Sequence, residues 1–574
     1  MKKLIGLMFL ASAWITGVQA QWSGEAAENL RLIDRSVYST EAKMLSDGSW
    51  FLYHNGPSGG TTLPYLQYFD KNGVALWESD LLICEERTKT YNVYNNLLFV
   101  DRDENAIVVN QDLRREDLNT YTAYKIDKTG EHRWNHSGIS LHGDELPSFC
   151  AALQIIQMSD GSYVFAWEEE TFDADNIQLR MQRLSADGER LWGEGKVFSM
   201  EGTALTYPYL VDAGNNECIL LYAQGAMQEL YARKLDFDGN DVWPNPVLVY
   251  GGSLPTTPLW TWMKVIPVEG GLVAAWPGYD PEQPLLAWIK ADGTHAFTEG
   301  SKGLRMGYTP DYRCAAPDVV FDAETRTFYS VWREFDPNTQ AWQRIAAQKI
   351  SAEGELLWDP MGVDIAPLEH HTLAYYSLQL APKGALMAAY MEMFAGDNMI
   401  DAYAVLVDAE GKYVWQDTSV SISSRETGGS KSNMVSLPMR EGQWIFFWND
   451  FRDFDNLNTC NVYGQNLHLD GSLGNTSAAN ERAVEEASSA LRVFPNPVGT
   501  SARIAWNHEG TGQTAARIEL LDVKGASVGV VYNGILEAGE NLVEWQRPAN
   551  LVSGVYLMRA IAGGQVCYEK IILR

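Results

Sequence analysis

A short pattern recurs along this chain: Asp, two residues, Gly, three residues, then Trp. Its first complete copy is Asp70-Lys-Asn-Gly73-Val-Ala-Leu-Trp77. It returns at Asp127…Gly130…Trp134 and, with Ser, Asp or Glu variations, at Gly188…Trp192, Gly239…Trp243, Gly354…Trp358 and Gly411…Trp415. A degenerate copy has Gly293 with Phe297 in the Trp place, and a last copy stops at Gly471. Successive glycines are 57, 58, 51, 54, 61, 57 and 60 residues apart. A steady period of that size marks a propeller or an array, in which each unit buries its apolar faces only against its neighbours.

Each period holds a second landmark, a turn followed by an apolar run that closes on an aromatic. Examples are Asp47-Gly48-Ser-Trp-Phe-Leu-Tyr53, Asp160-Gly161-Ser-Tyr-Val-Phe-Ala-Trp167 and Glu441-Gly442-Gln-Trp-Ile-Phe-Phe-Trp448; weaker versions run to Tyr222, Trp276, Trp332 and Tyr390. Helical periodicity is nearly absent. Asp-Gly between two β-rich runs signals a tight hairpin, because the turn needs the positive φ that Gly adopts freely. Two hairpins per period make four antiparallel strands, a to d, which is one propeller blade. The Trp then starts strand d, where neighbouring blades face each other, and its burial is worth roughly 2–3 kcal/mol.

Eight first turns and eight second turns predict eight blades, with seven as the alternative if the unit around Gly293 is irregular. The eighth copy runs out before its Trp. Gln21-Trp22-Ser-Gly-Glu resembles the stretch after the other turns, such as Trp192-Gly-Glu-Gly. Trp22 is therefore expected to supply the missing indole, and the N-terminal segment the outer strand that closes the ring, leaving no open edge. Gln67, Gln182, Gln348 and Gln465 each stand six residues before their turn Gly. A Gln recurring inside a strand is read as a buried hydrogen bond between strands.

The spacing resembles the tryptophan-docking repeat of the eight-bladed pyrroloquinoline-quinone dehydrogenases, over the turn and its Trp alone. Only Thr129 matches that family's Thr before the Gly, and nothing resembles its cofactor pocket. The chain is more similar to secreted bacterial β-propeller repeats that combine the aromatic-closed strand, the Gln and this turn.

The two ends speak of export. Met1-Lys2-Lys3, an apolar run from Leu4 to Val18 and Val18-Gln19-Ala20 have the form of a secretory signal, residues 1–20, cut between Ala20 and Gln21. The propeller is assigned to residues 21–474 and a small, polar linker to 475–490. From 491 the tail alternates like a β-sandwich, with strands expected at 502–506, 516–521, 541–545, 555–560 and 569–573. Pro495-Asn496-Pro497, Leu520-Leu-Asp522-Val-Lys-Gly525, Leu551-Val-Ser-Gly554-Val-Tyr556 and the closing Lys570-Ile-Ile-Leu-Arg574 are similar to the type A C-terminal sorting domain of the type IX (Por) secretion system. That resemblance implies an immunoglobulin-like sandwich at 491–574, the secretion machinery as partner, passage across the outer membrane, and a cell-surface or extracellular destination. The expected fold class is all-β: an eight-bladed (alternatively seven-bladed) propeller followed by that sandwich.

A net charge of -30 argues against nucleic acid as a partner. No stretch beyond the signal is long and apolar enough for a membrane helix. Six Cys at irregular spacing give no zinc or redox motif and no readable pairing; Cys218, in an apolar run, is expected to be a buried thiol. There is no H-E-x-x-H, G-x-S-x-G or P-loop. Whether the chain is an enzyme is thus undecided, with the balance against. The b–c connections carry charge: Glu168-Glu-Glu…Asp173-Ala-Asp175, Arg333-Glu334-Phe-Asp336 and Asn449-Asp450-Phe-Arg452-Asp453-Phe-Asp455. Their carboxylates have the oxygen chemistry of a Ca²⁺ site but match no calcium-loop motif; their Asp and Arg can instead pair with each other. No other cofactor is indicated. Trp260, Trp262, Arg333, Arg452 and Asp453 are the candidates for a ligand face that binds a surface glycan, peptide or protein. The alternative is a secreted hydrolase or lyase with acids converging at the axial mouth.

Overall fold

The computed structural model describes residues 22–475 and 491–573, except for 38–39, 59–60, 86–96, 116–117, 144–146, 171–176, 226–228, 253, 255–262, 279–282, 308–311, 340–341, 395–398, 417, 425–429, 454–459, 495–497, 509–512, 522–526, 538, 549–550, 553 and 563–564. The signal peptide and its cut at Ala20/Gln21, Trp260, Trp262, Pro495, Asn496, Pro497, Asp522 and Gly525 lie outside the described residues. The chain divides into two compact units, Met1–Asn475 and Thr476–Arg574.

The first unit is an eight-bladed propeller. Blade 1 is a four-stranded antiparallel sheet of Thr40–Met44, Trp50–Ser58, Thr61–Phe69 and Leu81–Leu82 in that order, and blades 2 to 5 repeat it. The unit around Gly293 is a regular blade, so the count is eight. Blades 6 and 7 are joined without a loop: the 19-residue strand Val363–Ala381 is strand d of blade 6 in its first half and strand a of blade 7 in its second. Blade 8 consists of Lys431–Arg440, Gln443–Asp450 and Cys460–His468, completed by Leu30–Val37 from the N-terminus, paired antiparallel to Cys460–His468. Each inner strand touches the inner strands of both neighbouring blades, and that of blade 8 touches that of blade 1, so the circle is closed.

The indoles staple it as the repeat implies. Trp77, Trp134, Trp192, Trp243, Trp358 and Trp415 each donate Nε1–H to the carbonyl two residues before the turn Gly of the next blade, at 2.8–3.2 Å. Trp22 does the same to Lys71, at 3.1 Å, so it is the indole of blade 8 docking on blade 1. Gly73 has φ of 76°, and a Cβ there would stand 2.9 Å from the Trp22 ring, so the turn needs Gly for its backbone and for the docked indole alike. Phe297 fills the same place against Gly354 without a donor.

The recurring Gln is structural. Gln182 and Gln348 donate to the carbonyls of Gly193 and Asp359, one residue past the docking Trp, and accept from the Trp192 and Trp358 amides. Gln465 donates to Ser23, one past Trp22, which repeats the bond across the chain closure.

The second unit is a two-sheet sandwich. Leu491–Phe494, Ser501–His508 and Gly539–Gln546 form one sheet; Ser527–Leu536, Thr514–Leu521, Gly554–Ala562 and Gln565–Leu573 form the other. Trp506, Ile518, Trp545, Met558 and Ile571 fill the space between. Tyr556 is buried there and donates to the Val552 carbonyl at 3.0 Å; Gly554 begins its strand, and Lys570 lies on the last one. Ser527–Leu536 is a strand that the sequence reading passed over.

Candidate functional site

The a–b and c–d turns share one end of each blade, so the b–c and d–a connections share the other, the loop face. There the inner strands break step. In blades 3, 4, 6, 7 and 8 the inner strand carries one extra residue against strand b: between Ala151 and Gln154, Thr206 and Tyr209, Ala315 and Asp318, Ala374 and Ser377, and Ser432 and Val435. The residue that enters each bulge has a left-handed backbone: Ala152 (φ 55°), Tyr207 (52°), Ala316 (46°), Tyr375 (47°) and Asn433 (53°). Such residues cost roughly 1–3 kcal/mol each unless the surroundings over-determine them.

The surroundings do. Opposite each bulge stands the aromatic that closes the strand-b run: Trp167, Tyr222, Trp332, Tyr390 and Trp448. At the three Trp the acid two residues on returns on the same face of the strand and accepts the indole N–H: Trp167 to Glu169, Trp332 to Glu334 and Trp448 to Asp450, at 2.8–2.9 Å. Each acid then meets an arginine: Arg180 at 2.5 Å, Arg344 at 3.3 Å and Arg452 at 2.6 Å. These carboxylates are consumed in holding the scaffold.

The intervening residue reaches the next blade. Glu168 accepts the Tyr207 amide at 2.9 Å, Arg333 donates to the Leu373 carbonyl at 2.7 Å, and Asn449 accepts from the Thr40 hydroxyl at 3.0 Å. Tyr209 and Tyr376 link inner strands in the same way, to Met263 and Ala315. Burial holds the Glu168 carboxyl above the usual carboxylate range, only partly offset by the Tyr207 amide.

The charged b–c segments therefore begin inside strands: Glu168 and Glu169 in Tyr163–Glu170, Arg333 and Glu334 in Thr327–Phe335, Asn449 and Asp450 in Gln443–Asp450. Of the candidates, Arg333 is half-buried, with its guanidinium 5.8 Å from the Phe335 ring centre. Arg452 lies 4.1 Å over the Tyr463 ring and bonds Asp450 and Asn29. Asp453 accepts from Tyr463 at 2.6 Å and Asn461 at 3.0 Å; those hydrogen bonds, Tyr463 foremost, hold its carboxyl below the usual range. Asn29 also donates to the Ile422 carbonyl and accepts from Ser423 in blade 7. Arg452 and Asp453 thus tie the N-terminal closing segment to blade 8.

Two further ionisable groups are enclosed here. Lys431, on the inner strand of blade 8, is 1% exposed and donates to Ile400 at 2.6 Å; burial pushes its ammonium down to about 8. His371 is buried and hydrogen-bonded to Glu392 and to the Gln343 carbonyl, while its neighbour His370 is exposed, beside Trp342. Burial pulls the His371 pKa down, but the Glu392 carboxylate and the Gln343 carbonyl outweigh it and leave it raised.

Among the described residues the loop face exposes aromatic and neutral side chains beside the charges of Glu170, Arg313 and Glu369. Phe149 and Tyr375 are each 43% exposed on inner strands four blades apart, on opposite sides of the mouth. Tyr207, Thr372 and Asn433 are partly or fully exposed on the same set of strands, and Trp342, 44% exposed, stands edge-on to His370. Among the described residues no three His, Cys, Asp or Glu are placed to hold a metal, and no helix is long and apolar enough to cross a membrane. Cys218 and Cys460 are free, buried thiols, and Cys218 is fully buried.

The aromatic rim was missed in the sequence because an inner-strand Tyr looks like core. The available signal was the aromatic closing strand b, which marks the bulge opposite it.

Residues 492–574 match the family model of the secretion system C-terminal sorting domain. The tail is that sorting domain, and the protein is a type IX cargo secreted across the outer membrane to the cell surface or beyond. No curated protein sequence matches the chain. Solved structures similar to it include the α-L-arabinofuranosidase Arb93A from Fusarium graminearum (12% identity, TM-score 0.33, 56% of this chain and 97% of that one). They also include the α-L-arabinanase of Penicillium chrysogenum (12%, 0.32, 68% and 98%) and the polysaccharide lyase Uly1 (10%, 0.36, 80% and 94%).

Proposed function

We propose that this exported propeller is a binding module whose loop-face mouth takes an uncharged glycan chain. The observation that carries the reading is the set of five bulges, where backbone strain is spent on inner strands at the axis and two of the strained residues are Tyr207 and Tyr375. Strain of this kind collects where a protein positions side chains for a partner. Rings of Tyr and Phe stack on the apolar faces of sugars, while Thr372 and Asn433 offer hydroxyl and amide partners. The acidic body repels a polyanionic chain and leaves a neutral one unopposed.

A glycan array on the purified secreted protein, followed by calorimetric titration of the best ligand, tests this. Phe149→Ala and Tyr375→Ala are each expected to weaken binding about three- to tenfold, from a stacking contribution on the order of 0.5–1.5 kcal/mol. Unaltered affinity in both variants would remove the mouth from the account.

The second reading is a hydrolase or lyase. Glu168 favours it, as a loop-face carboxyl whose proton affinity burial raises, the direction a general acid needs. Glu168 is 3% exposed and engaged with Tyr207, so turnover requires it to be uncovered. Release of reducing or unsaturated sugar ends from a bound polysaccharide, lost in Glu168→Gln, would establish that reading over simple binding.

A further inference from the structure

The sorting domain presents one strand unlike any other in it. Ser527-Val-Gly-Val-Val-Tyr-Asn-Gly-Ile-Leu536 holds no Asp, Glu, Lys, Arg or Pro in ten residues, in a chain that is 21% charged. Among the described residues it forms an edge of the four-stranded sheet and pairs with Thr514–Leu521 alone. Two register shifts against that neighbour leave Val528 and Val531 out of the ladder. Val528 is 41%, Val530 52% and Ile535 61% exposed. Natural sheets guard such edges with charge, proline or bulges, of which this strand has only the bulges, because unpaired N–H and C=O groups beside β-branched side chains template a further strand. The opposite edge, Gln565–Leu573, carries Glu569 and Lys570.

Charge distribution selects the occupant. Residues 491–574 hold eight Lys and Arg against seven Asp and Glu, which leaves 36 against 67 in the rest of the chain. Edge-to-edge pairing of two copies would bring two strongly acidic bodies together, a repulsion that a foreign partner avoids. The domain is a secretion-system sorting domain, so such a partner belongs to that system. We infer that Ser527–Leu536 is the strand by which the export apparatus reads this tail. An extended, uncharged segment of an export component, rich in β-branched and aromatic residues, adds to the sheet as a fifth strand. Its backbone pairs with the free edge, and its side chains cover Val528 and Val530.

The test uses the full-length protein in its secreting host. A photo-crosslinking residue replaces Val530, or, as a control, Leu542, which is 56% exposed on an edge of the other sheet. Export is followed separately for Val528→Lys/Val530→Lys and for Leu542→Lys. The expected result is a crosslink from position 530 to a strand of an outer-membrane export component, and none from 542. The double lysine variant should leave the protein in the periplasm, with surface delivery down at least about tenfold, since burying unpaired ammonium groups in a strand interface costs that or more. Leu542→Lys should be exported normally. Normal export of the double variant would overturn the inference. So would a crosslink from 530 that lands only on a second copy of this chain, or equal crosslinking from 530 and 542. Should the lysines unfold the domain, the crosslink from position 530, made in an uncharged background, still decides.

Discussion

Replacing Trp22 by Ala asks whether one indole closes the ring. Trp22 is 3% exposed, packs with Leu30, Ile33, Phe69 and Ile445, and donates to Lys71. Truncating a buried Trp costs about 3–5 kcal/mol. The lost hydrogen bond adds little, because the Lys71 carbonyl keeps a second donor, Gln443 Nε2 at 3.1 Å. A total near 4 kcal/mol follows. The unfolding entropy of the whole propeller, at about 2.1 cal/mol/K per residue, is near 1 kcal/mol/K, so the melting temperature should fall only about 4 °C. The informative measurement is local. Trp243→Ala removes an equivalent indole, 6% exposed and bonded to Ala291, in the middle of the chain. Both variants should melt alike. Only Trp22→Ala should free the terminal strand, with hydrogen exchange of Leu30–Val37 and its partner Cys460–His468 accelerated by up to about a thousandfold. If that exchange stays as slow as in the Trp243 variant, closure does not depend on Trp22, and the Asn29 network with Arg452 and Ser423 carries it instead.

Four further outcomes are expected. The folded-state pKa of Lys431, about 8, lies below its ordinary value, so its contribution to stability is complete at high pH and is lost as pH falls through 8. Folding free energy should therefore drop by about 3 kcal/mol from pH 10.5 to below 8, a component absent in Lys431→Met when denaturant titrations are compared. The pKa of His371 is raised, so its stabilisation is present below about 6.5 and disappears as pH rises through the folded-state value; Glu392→Gln should flatten that slope. Gln348→Ala orphans the Trp358 amide and the Asp359 carbonyl and should cost about 1–3 kcal/mol by denaturant titration. Phe297→Trp supplies the donor that blade 5 lacks and should stabilise the propeller by about 1 kcal/mol in the same assay, if Ala352 offers its carbonyl as the equivalent residues of other blades do.

The repeat made blade count, strand order and closure legible because each depends on local chemistry. Asp-x-x-Gly dictates a turn, period two dictates a strand, and the missing eighth Trp had to come from somewhere in the chain. Trp22, Gly471 and the four Gln could be placed without coordinates for that reason. The sorting domain was legible for a related one: of its motif residues Gly554 opens a strand and Tyr556 fills the core. The candidate site was not. Arg452 and Asp453 looked like loop charges and proved to clamp the closing strand through Asn29 and Tyr463, residues 423 and 10 positions away. Glu169, Glu334 and Asp450 read as charges of the b–c connections and are occupied by indoles and arginines. Which side of a strand faces the axis, which carboxylate meets an arginine, and where a strand must bulge are settled only when strands pair and blades pack. Local pattern therefore built the frame, and only packing around the ring decided which residues remain free to meet a ligand.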